Sequence, residues 1–351
     1  MCLNLSVSQS LNPSQRSAGL SNQPLRIGTL GAARITPNAL IHPARQVDNV
    51  EVAAVAAREP ATARAFAAKH GIPQVYDSYA ALLADPTIAA IYNPLPNNLH
   101  AEWTIRALEA GKHVLCEKPL AANTTEAEQM AETAATTGLV LMEAFHTLYH
   151  PLATRMKAII DSGELGKVRH VDVQFCTLLW RWWDIRLRYD LAGGATMDLG
   201  CYAIRLLRFL LGSEPEVVQA QAHCVARQVD RWMTASLRFP NAVTASFTCA
   251  FWSSNLIRIT AHVVGELGEM HVLNPILPQL YHRLQVQTAN GTRTEKAPGD
   301  STYTYQLRAF VAAVQGQETL LTAGNDGVAN MRVIDAVYAK AGLLPRGVVR
   351  Q

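Results

Sequence analysis

A single lysine ends an apolar run in Val114-Leu115-Cys116-Glu117-Lys118-Pro119. The proline disfavours helical backbone at Lys118 and sends it into the extended region, so a strand-to-turn junction aims one ammonium group. In open α/β sheets the carboxyl ends of the strands are where ligands bind. A lysine there can hold a substrate hydroxyl and tune a proton donor beside it; the alternative is a surface lysine at a loop. A second group lies in Ala192-Gly193-Gly194-Ala195-Thr196-Met197-Asp198-Leu199-Gly200-Cys201-Tyr202. Two glycines let the chain turn sharply and approach another backbone. Asp198 and Tyr202, four apart, share one helix face. A phenol titrates near pH 10, and a neighbouring cation favours its ionised form, which would make Tyr202 a general acid/base nearer neutrality. Without that cation the segment is a helix start with a dipole-favoured acid and a half-buried tyrosine.

A third group reads as a nucleotide turn. Arg26-Ile27-Gly28-Thr29-Leu30 is a short apolar strand, and Gly31-Ala32-Ala33-Arg34-Ile35-Thr36 follows where G-x-G-x-x-G would open a dinucleotide site. Only the first glycine of that pattern survives, so an ordinary strand-to-helix turn remains open as a reading. The next strand ends in Ala56-Ala57-Arg58 instead of the acid that grips the ribose 2′-hydroxyl of NAD. An arginine fork there suits a 2′-phosphate, and Arg34 adds charge nearby. NADP is the expected cofactor, with NAD the alternative and Arg58 as a solvated loop residue the plain one.

The elements that must position these groups alternate. From Leu25 onward, short β-rich runs and helical stretches follow one another as in βαβ units over a parallel sheet: strands at 26–30, 50–56, 88–92, 114–116 and 139–143, helices through Lys69, from Tyr79 to Leu83, from His100 to Ala110 and from Thr124 to Thr136. Beyond about residue 150 long strand-like runs succeed one another, at 168–179, 217–226, 232–239, 242–251 and 257–264, interrupted once by a helix at 194–211. In 242–251, Val243, Ala245, Phe247, Cys249 and Phe251 alternate with Thr244, Ser246 and Thr248. That is the period of a largely antiparallel sheet with one packed and one open face. A final helix is read at 326–343. The expected fold is an α/β Rossmann domain at 25–146, followed by an α+β domain at 147–351 with a large, mostly antiparallel open sheet. The last helix may pack back on the first domain, and a partner subunit, in a homodimer or homotetramer, would cover the open face.

The 351 residues suit two domains, since single cores stop growing near roughly 250–300 residues. The 31 basic and 28 acidic side chains nearly cancel, unlike the basic footprint of a nucleic-acid binder. Six scattered cysteines without C-x-x-C spacing point to free thiols in a reducing compartment. No apolar run nears the roughly 18 residues of a membrane span. Residues 1–24, rich in Ser, Asn and Gln, lack a secretory h-region; they read as a disordered tail on a cytoplasmic protein. His146 and His150 have metal-like i,i+4 spacing, but no acid completes a ligand set and H-E-x-x-H is absent, so no metal is expected. Trp180, Trp182 and Trp183 around Arg181 could wall a sugar ring or arene diol, or pack a core or subunit contact. Arg186 and Arg188 could reach substrate hydroxyls.

The segment from Gly28 to Thr36, Tyr92-Asn93-Pro94-Leu95-Pro96-Asn97-Asn98-Leu99-His100, Glu117-Lys118-Pro119, Met142-Glu143-Ala144-Phe145 with His150-Pro151, and Gly193 to Tyr202 occur in order along nearly the whole chain. Together they resemble the glucose–fructose oxidoreductase/inositol dehydrogenase/MocA (Gfo/Idh/MocA) family. The resemblance implies a Rossmann domain, a carboxyl-terminal domain with an open sheet, and a cofactor between them. It puts the family's catalytic lysine on Lys118 and its acid/base pair on Asp198 and Tyr202. Gly28, Gly31, Ala32, Ala33, Arg34, Arg58, Asn93, Pro94, Leu95, Asn98, His100, Glu117 and Lys118 would face the cofactor. His146, Trp180, Arg186, Arg188, Asp198 and Tyr202 would face the substrate. Tyrosine at 202, where many members carry histidine, is similar to the branch of dihydrodiol and NADP-dependent xylose dehydrogenases. The expected reaction is hydride transfer between NADP and a secondary alcohol of a sugar or cyclic diol. A sugar–sugar oxidoreductase with tightly held cofactor and a non-catalytic NAD(P)-sensing regulator are the alternatives.

Overall fold

The structure, a computed structural model, describes residues 24–347 apart from positions 182, 227 and 255. The expected tail, except Pro24, and Trp182 therefore lie outside the described residues. The first half runs β1 (Leu25–Leu30), α1 (His42–Ala44), β2 (Val50–Ala56), α2 (Pro60–His70), β3 (Gln74–Tyr76) and α3 (Tyr79–Ala84). It continues with β4 (Ala90–Asn93), α4 (His100–Glu109), β5 (His113–Cys116), α5 (Thr124–Thr137) and β6 (Leu141–Glu143). These six strands form one parallel sheet in the order β3-β2-β1-β4-β5-β6. The order reverses between β1 and β4, which opens a crevice at their carboxyl ends.

Local chemistry sets the limits of the helices. Pro60 opens α2, and Gly71 closes it in left-handed backbone at φ 73°. The Asn123 side chain accepts from the Glu126 backbone N–H at 3.0 Å and caps α5, while the Glu126 carboxylate accepts from Ala122 N at 3.0 Å. That cap fixes where the chain leaves the Lys118 turn.

The second half holds α6 (Pro151–Asp161), β7 (Val168–Cys176), α7 (Cys201–Leu211), β8 (Glu216–Ala226), β9 (Val229–Arg238), β10 (Thr244–Ala250) and β11 (Arg258–Gly265). It closes with β12 (Gly268–Leu273), β13 (Arg283–Thr288), β14 (Gly291–Glu295), α8 (Thr302–Val314) and α9 (Gly324–Lys340). Eight strands pair in the order β14-β13-β12-β11-β7-β10-β9-β8. Only β7 and β10 run parallel. The alternation read in 242–251 is real: Ala245, Phe247 and Cys249 are buried while Thr244 and Ser246 face outward. Helices α7 and α9 pack on the buried face. The helices α6 and α8 and the strands β12 to β14 were not anticipated, although Leu152, Met156 and Ile159 recur at helical spacing in α6 and Leu284 and Val286 alternate in β13. Helix α9 also packs against α5 of the first sheet.

Candidate active site

The turn after β5 sends Lys118 across the crevice between the two sheets. Its Nζ donates to both the backbone oxygen and Oδ1 of Asp198, each at 2.9 Å. Arg186 Nε pairs with the other oxygen, Oδ2, at 2.8 Å. Asp198 lies in a π-helical turn, Thr196–Gly200, that runs directly into α7. Tyr202, in the first turn of α7, presents the face of its ring to Lys118, whose Nζ lies 4.8 Å from the ring centroid. Phe145 and Phe175 meet that ring edge-on at 5.3 and 5.7 Å between centroids. The Tyr202 hydroxyl is hydrogen-bonded to His146 Nε2 at 3.0 Å, and His146 Nδ1 to Thr302 Oγ1 at 2.8 Å.

The double glycine that opens this segment is required by contact. A Cβ on Gly193 would sit 2.5 Å from the Arg186 carbonyl oxygen, and one on Gly194 would sit 2.2 Å from Asp230 Oδ1. Asp230, on β9, also accepts from the backbone N–H and the hydroxyl of Thr196, both at 2.7 Å. The buried carboxylate thus holds the start of the π turn and, through it, Asp198 and Tyr202.

The protonation states follow from burial and pairing. Burial alone would lower Lys118, but the Asp198 carboxylate outweighs it and holds the ammonium above its ordinary value. Burial alone would raise Asp198, yet Lys118 and Arg186 together keep it below the usual carboxylate range. Asp198 is therefore an anchor for two cations. Burial pushes Tyr202 well above 10, with Tyr303 and Glu117 adding to the rise. The expected lowering of the phenol by Lys118 does not occur: the ammonium faces the ring, not the oxygen, and Asp198 neutralises it. Burial, then Lys118, drives His146 down to about 3, so its ring is neutral and carries one proton.

The crevice, about 350 Å³, is lined on the first-sheet side by Ala33, Arg34, Pro94, Leu95, Glu117 and Lys118, and on the other by Phe175, Arg186, Asp198, Tyr202 and Tyr303. His146 lines it too. Gly31 takes φ 88°, and a Cβ there would crowd Leu95 at 3.2 Å; Ala32 follows it in the same turn. The Arg34 and Arg58 side chains are 73% and 91% exposed, with no carboxylate nearer than 3.9 and 4.0 Å. Asn98 Oδ1 is buried without a hydrogen-bond partner among the described residues. Bare backbone at Gly31, two exposed guanidinium forks held only by long pairs to Asp184 and Glu59, and the Asn98 amide oxygen are a donor and acceptor set that fits a phosphorylated dinucleotide.

Several expected positions serve the scaffold instead. Gly28 lies inside the sheet, where a Cβ would strike Leu82 at 2.7 Å. Asn93 is buried and spends its amide on the His100 carbonyl and Thr104 at 3.2 and 3.1 Å. His100 touches the crevice, but its ring nitrogens lie 2.9 and 2.8 Å from the carbonyl oxygens of Pro119 and Leu95. It ties the two crevice loops together. Trp180 is 83% exposed and outside the crevice lining. Arg188 is exposed and ion-paired with Asp190. For Asn93 and His100 the sequence placed the residue near the crevice, but tertiary neighbours decided which way the side chain turned. Thr302, Tyr303 and Phe175 went unnoticed, since an isolated threonine or aromatic residue carries no spacing signal.

The sequence model of an oxidoreductase family with an NAD-binding Rossmann fold (GFO_IDH_MocA) matches residues 25–145, and that of the family's C-terminal domain matches 153–271. A D-xylose 1-dehydrogenase (NADP(+)) of Haloferax volcanii is 36% identical over 90% of this chain and 97% of its own length. The trans-1,2-dihydrobenzene-1,2-diol dehydrogenase of Macaca fascicularis is 35% identical over 64% of this chain and 67% of its own. Among solved structures, a 3-ketoreductase of Actinomadura kijaniata in complex with NADP and TDP-benzene superposes with a TM-score of 0.83 at 30% identity, covering 91% of this chain and 98% of that one.

Proposed function

The chain belongs to the Gfo/Idh/MocA oxidoreductase family, and on that premise we propose that it interconverts a secondary alcohol and a ketone, or a sugar's anomeric hydroxyl and its lactone, with NADP. The substrate class is a sugar or a cyclic diol, as the names of its relatives suggest. The supporting observation is the convergence of Lys118 from the first sheet with Asp198 and Tyr202 from the second, inside one crevice. Residues 25–146 would bind the cofactor, and 147–351 the substrate. Gly31, Arg34, Pro94, Leu95, Asn98 and Glu117 would hold the dinucleotide, with Arg34 and Arg58 on its 2′-phosphate. Once bound, the nicotinamide supplies or accepts the hydride.

An ammonium has three N–H donors, and two of those of Lys118 are committed to Asp198. The third points to the substrate oxygen and stabilises negative charge that develops there. Tyr202, neutral and buried, is poised as the acid that protonates a carbonyl oxygen; in oxidation it takes that proton back. His146 positions Tyr202. In one tautomer Nε2 accepts from the phenol while Nδ1–H donates to Thr302; in the other Nε2–H holds the phenol oxygen and leaves its proton free for substrate. Arg186, beside Asp198, would contact substrate hydroxyls. A homodimer or homotetramer built through the open sheet face, working in the cytoplasm, completes the reading. No described helix is long and apolar enough to cross a membrane.

The test follows nicotinamide absorbance with purified protein over aldoses, inositols, keto-sugars and arene dihydrodiols. Tyr202→Phe should lower kcat by about 10²–10⁴-fold. Lys118→Ala should abolish turnover while NADPH binding, read by its fluorescence, persists. Near-normal rates in Tyr202→Phe, or equal loss of binding and turnover in Lys118→Ala, would remove the assignment.

A further inference from the structure

Five charged side chains of alternating sign line the crevice in series: Arg34, Asp184, Arg186, Asp198 and Lys118. The two end members belong to the first half of the chain, Arg34 in the turn after β1 and Lys118 in the turn after β5. The middle three belong to the second half, between β7 and α7. Lys118 Nζ lies 2.9 Å from Asp198 Oδ1, Asp198 Oδ2 lies 2.8 Å from Arg186 Nε, and Arg186 Nη1 lies 3.2 Å from Asp184 Oδ1. Asp184 Oδ2 then lies 3.9 Å from Arg34 Nη2, with only 3% of the Asp184 side chain exposed.

We propose that Asp184 is a positioning residue that ties cofactor binding to the catalytic lysine. It acts on Lys118 through Arg186 and Asp198, and at Arg34 it competes with a phosphate of the cofactor. The inference rests on the reading of Lys118 as the group that holds the substrate oxygen and of Arg34 as a phosphate contact. The links of the series are unequal. The one to Arg34 is the longest, and Arg34, 73% exposed, is the most solvated member. Exposed ion pairs are weak, whereas a phosphate takes two parallel charge-assisted bonds from an arginine fork. The phosphate therefore wins Arg34, and Asp184 is left to Arg186 alone.

The backbone around Asp184 makes it a fixed post. Its Oδ1 accepts from the Arg186 backbone N–H at 3.1 Å and caps the 3-10 turn Ile185–Leu187. The Arg186 carbonyl accepts from Gly194 N at 2.8 Å, and that of Arg188 from Gly193 N at 2.8 Å. These bonds seat the turn on the double glycine from which the π turn bearing Asp198 departs. Asn97 Nδ2, from the first half, donates to the Ala192 carbonyl at 3.0 Å and ties the same loop across the crevice. Two carboxylates on one rigid guanidinium fix its plane. The place of Asp184 thus sets that of Asp198 and of the ammonium bonded to it.

Asp184→Asn keeps the cap and the shape and removes the charge, and its two effects should run in opposite directions. NADPH, titrated by its fluorescence into full-length protein, should bind about 2–5-fold more tightly, the span of an exposed ion pair. Turnover of the aldose, inositol, keto-sugar or arene dihydrodiol that wild type accepts should fall roughly 10–100-fold, as small misplacements at a reacting centre do. A merely structural role would not tighten the cofactor. Asp184→Glu, which restores the charge, should return both quantities toward wild type. In an Arg34→Gln background Asp184→Asn should no longer tighten NADPH, the cycle that isolates the pair. NADPH affinity unchanged or weakened in Asp184→Asn, or turnover equal to wild type, would overturn the proposal. Wild-type protein that binds NADPH yet turns over no sugar or diol would remove the catalytic reading instead, and the binding titrations would still decide whether Asp184 competes for Arg34.

Discussion

Tyr202 and Arg58 show how differently two residue assignments fare when side-chain surroundings are known. The phenol was expected to ionise more readily beside a cation. Instead Asp198 absorbs the ammonium's charge, and burial leaves Tyr202 protonated. A protonated phenol is a proton donor at neutral pH, so on the proposed reading Tyr202 would serve carbonyl reduction without first being titrated. Arg58 lies exposed just past β2, paired only at 4.0 Å with the exposed Glu59, and its fork of donors can engage a 2′-phosphate. Hydrogen bonds to charged groups contribute about 1.5–3 kcal/mol. Arg58→Ala should therefore raise the dissociation constant for NADPH by roughly 10–100-fold while moving that for NADH little. Equal loss for both nucleotides, in fluorescence titrations, would take the phosphate contact away from Arg58.

At the scale of elements, β5 and β6 set the crevice geometry through a residue with no catalytic part. Glu143, at the end of β6, is fully buried; its Oε1 accepts from the Leu120 backbone N–H at 2.6 Å and so braces the turn that carries Lys118. Its Oε2 has no hydrogen-bond partner among the described residues, and a Cβ on Gly327 of α9 would come within 2.9 Å of it. Burial first, then Asp326, pushes this carboxyl from 4.5 up to about 8. The folded state thus keeps a proton that the unfolded chain releases near pH 4.5, and wild-type stability falls as pH rises from there to about 8. Glu143→Gln is neutral throughout. Its stability relative to wild type should grow across that window, to a ceiling on the order of 3–5 kcal/mol in urea unfolding. A difference that does not change with pH would show that Glu143 is not the titrating group.

For the molecule as a whole, the chain's last described turn locks the second sheet to the Gly193–Gly194 loop. Arg346 is fully buried; Nη2 pairs with Asp230 at 2.7 Å and Nε donates to the Gly193 carbonyl at 2.6 Å. Tyr338 of α9 donates to the same Asp230 oxygen at 3.0 Å. Breaking a buried pair by removing one partner costs about 3–5 kcal/mol, because the remaining charge stays buried and unpaired. Arg346→Met should lower stability by that amount in urea unfolding, and adding Asp230→Asn should restore part of it. A double variant no more stable than the single one would mean that packing, not charge, dominates there.

Local spacing was enough to place the Lys118 turn at a strand end, Asp198 and Tyr202 on one helical segment, and the packed and open faces of 242–251. Each depends on residues a few positions apart, whose relation the backbone period dictates. The two-sheet architecture followed from how those periods change along the chain. Tertiary structure alone decided that Asp198 anchors two cations, that His146 and Thr302 hold the Tyr202 hydroxyl, and that Asn93 and His100 brace loops. It alone joined Asp230 to Arg346 and set Asp184 between Arg34 and Arg186. These pairings link residues up to 156 positions apart, and a side chain's charge, direction and proton are fixed by the neighbours that folding brings to it.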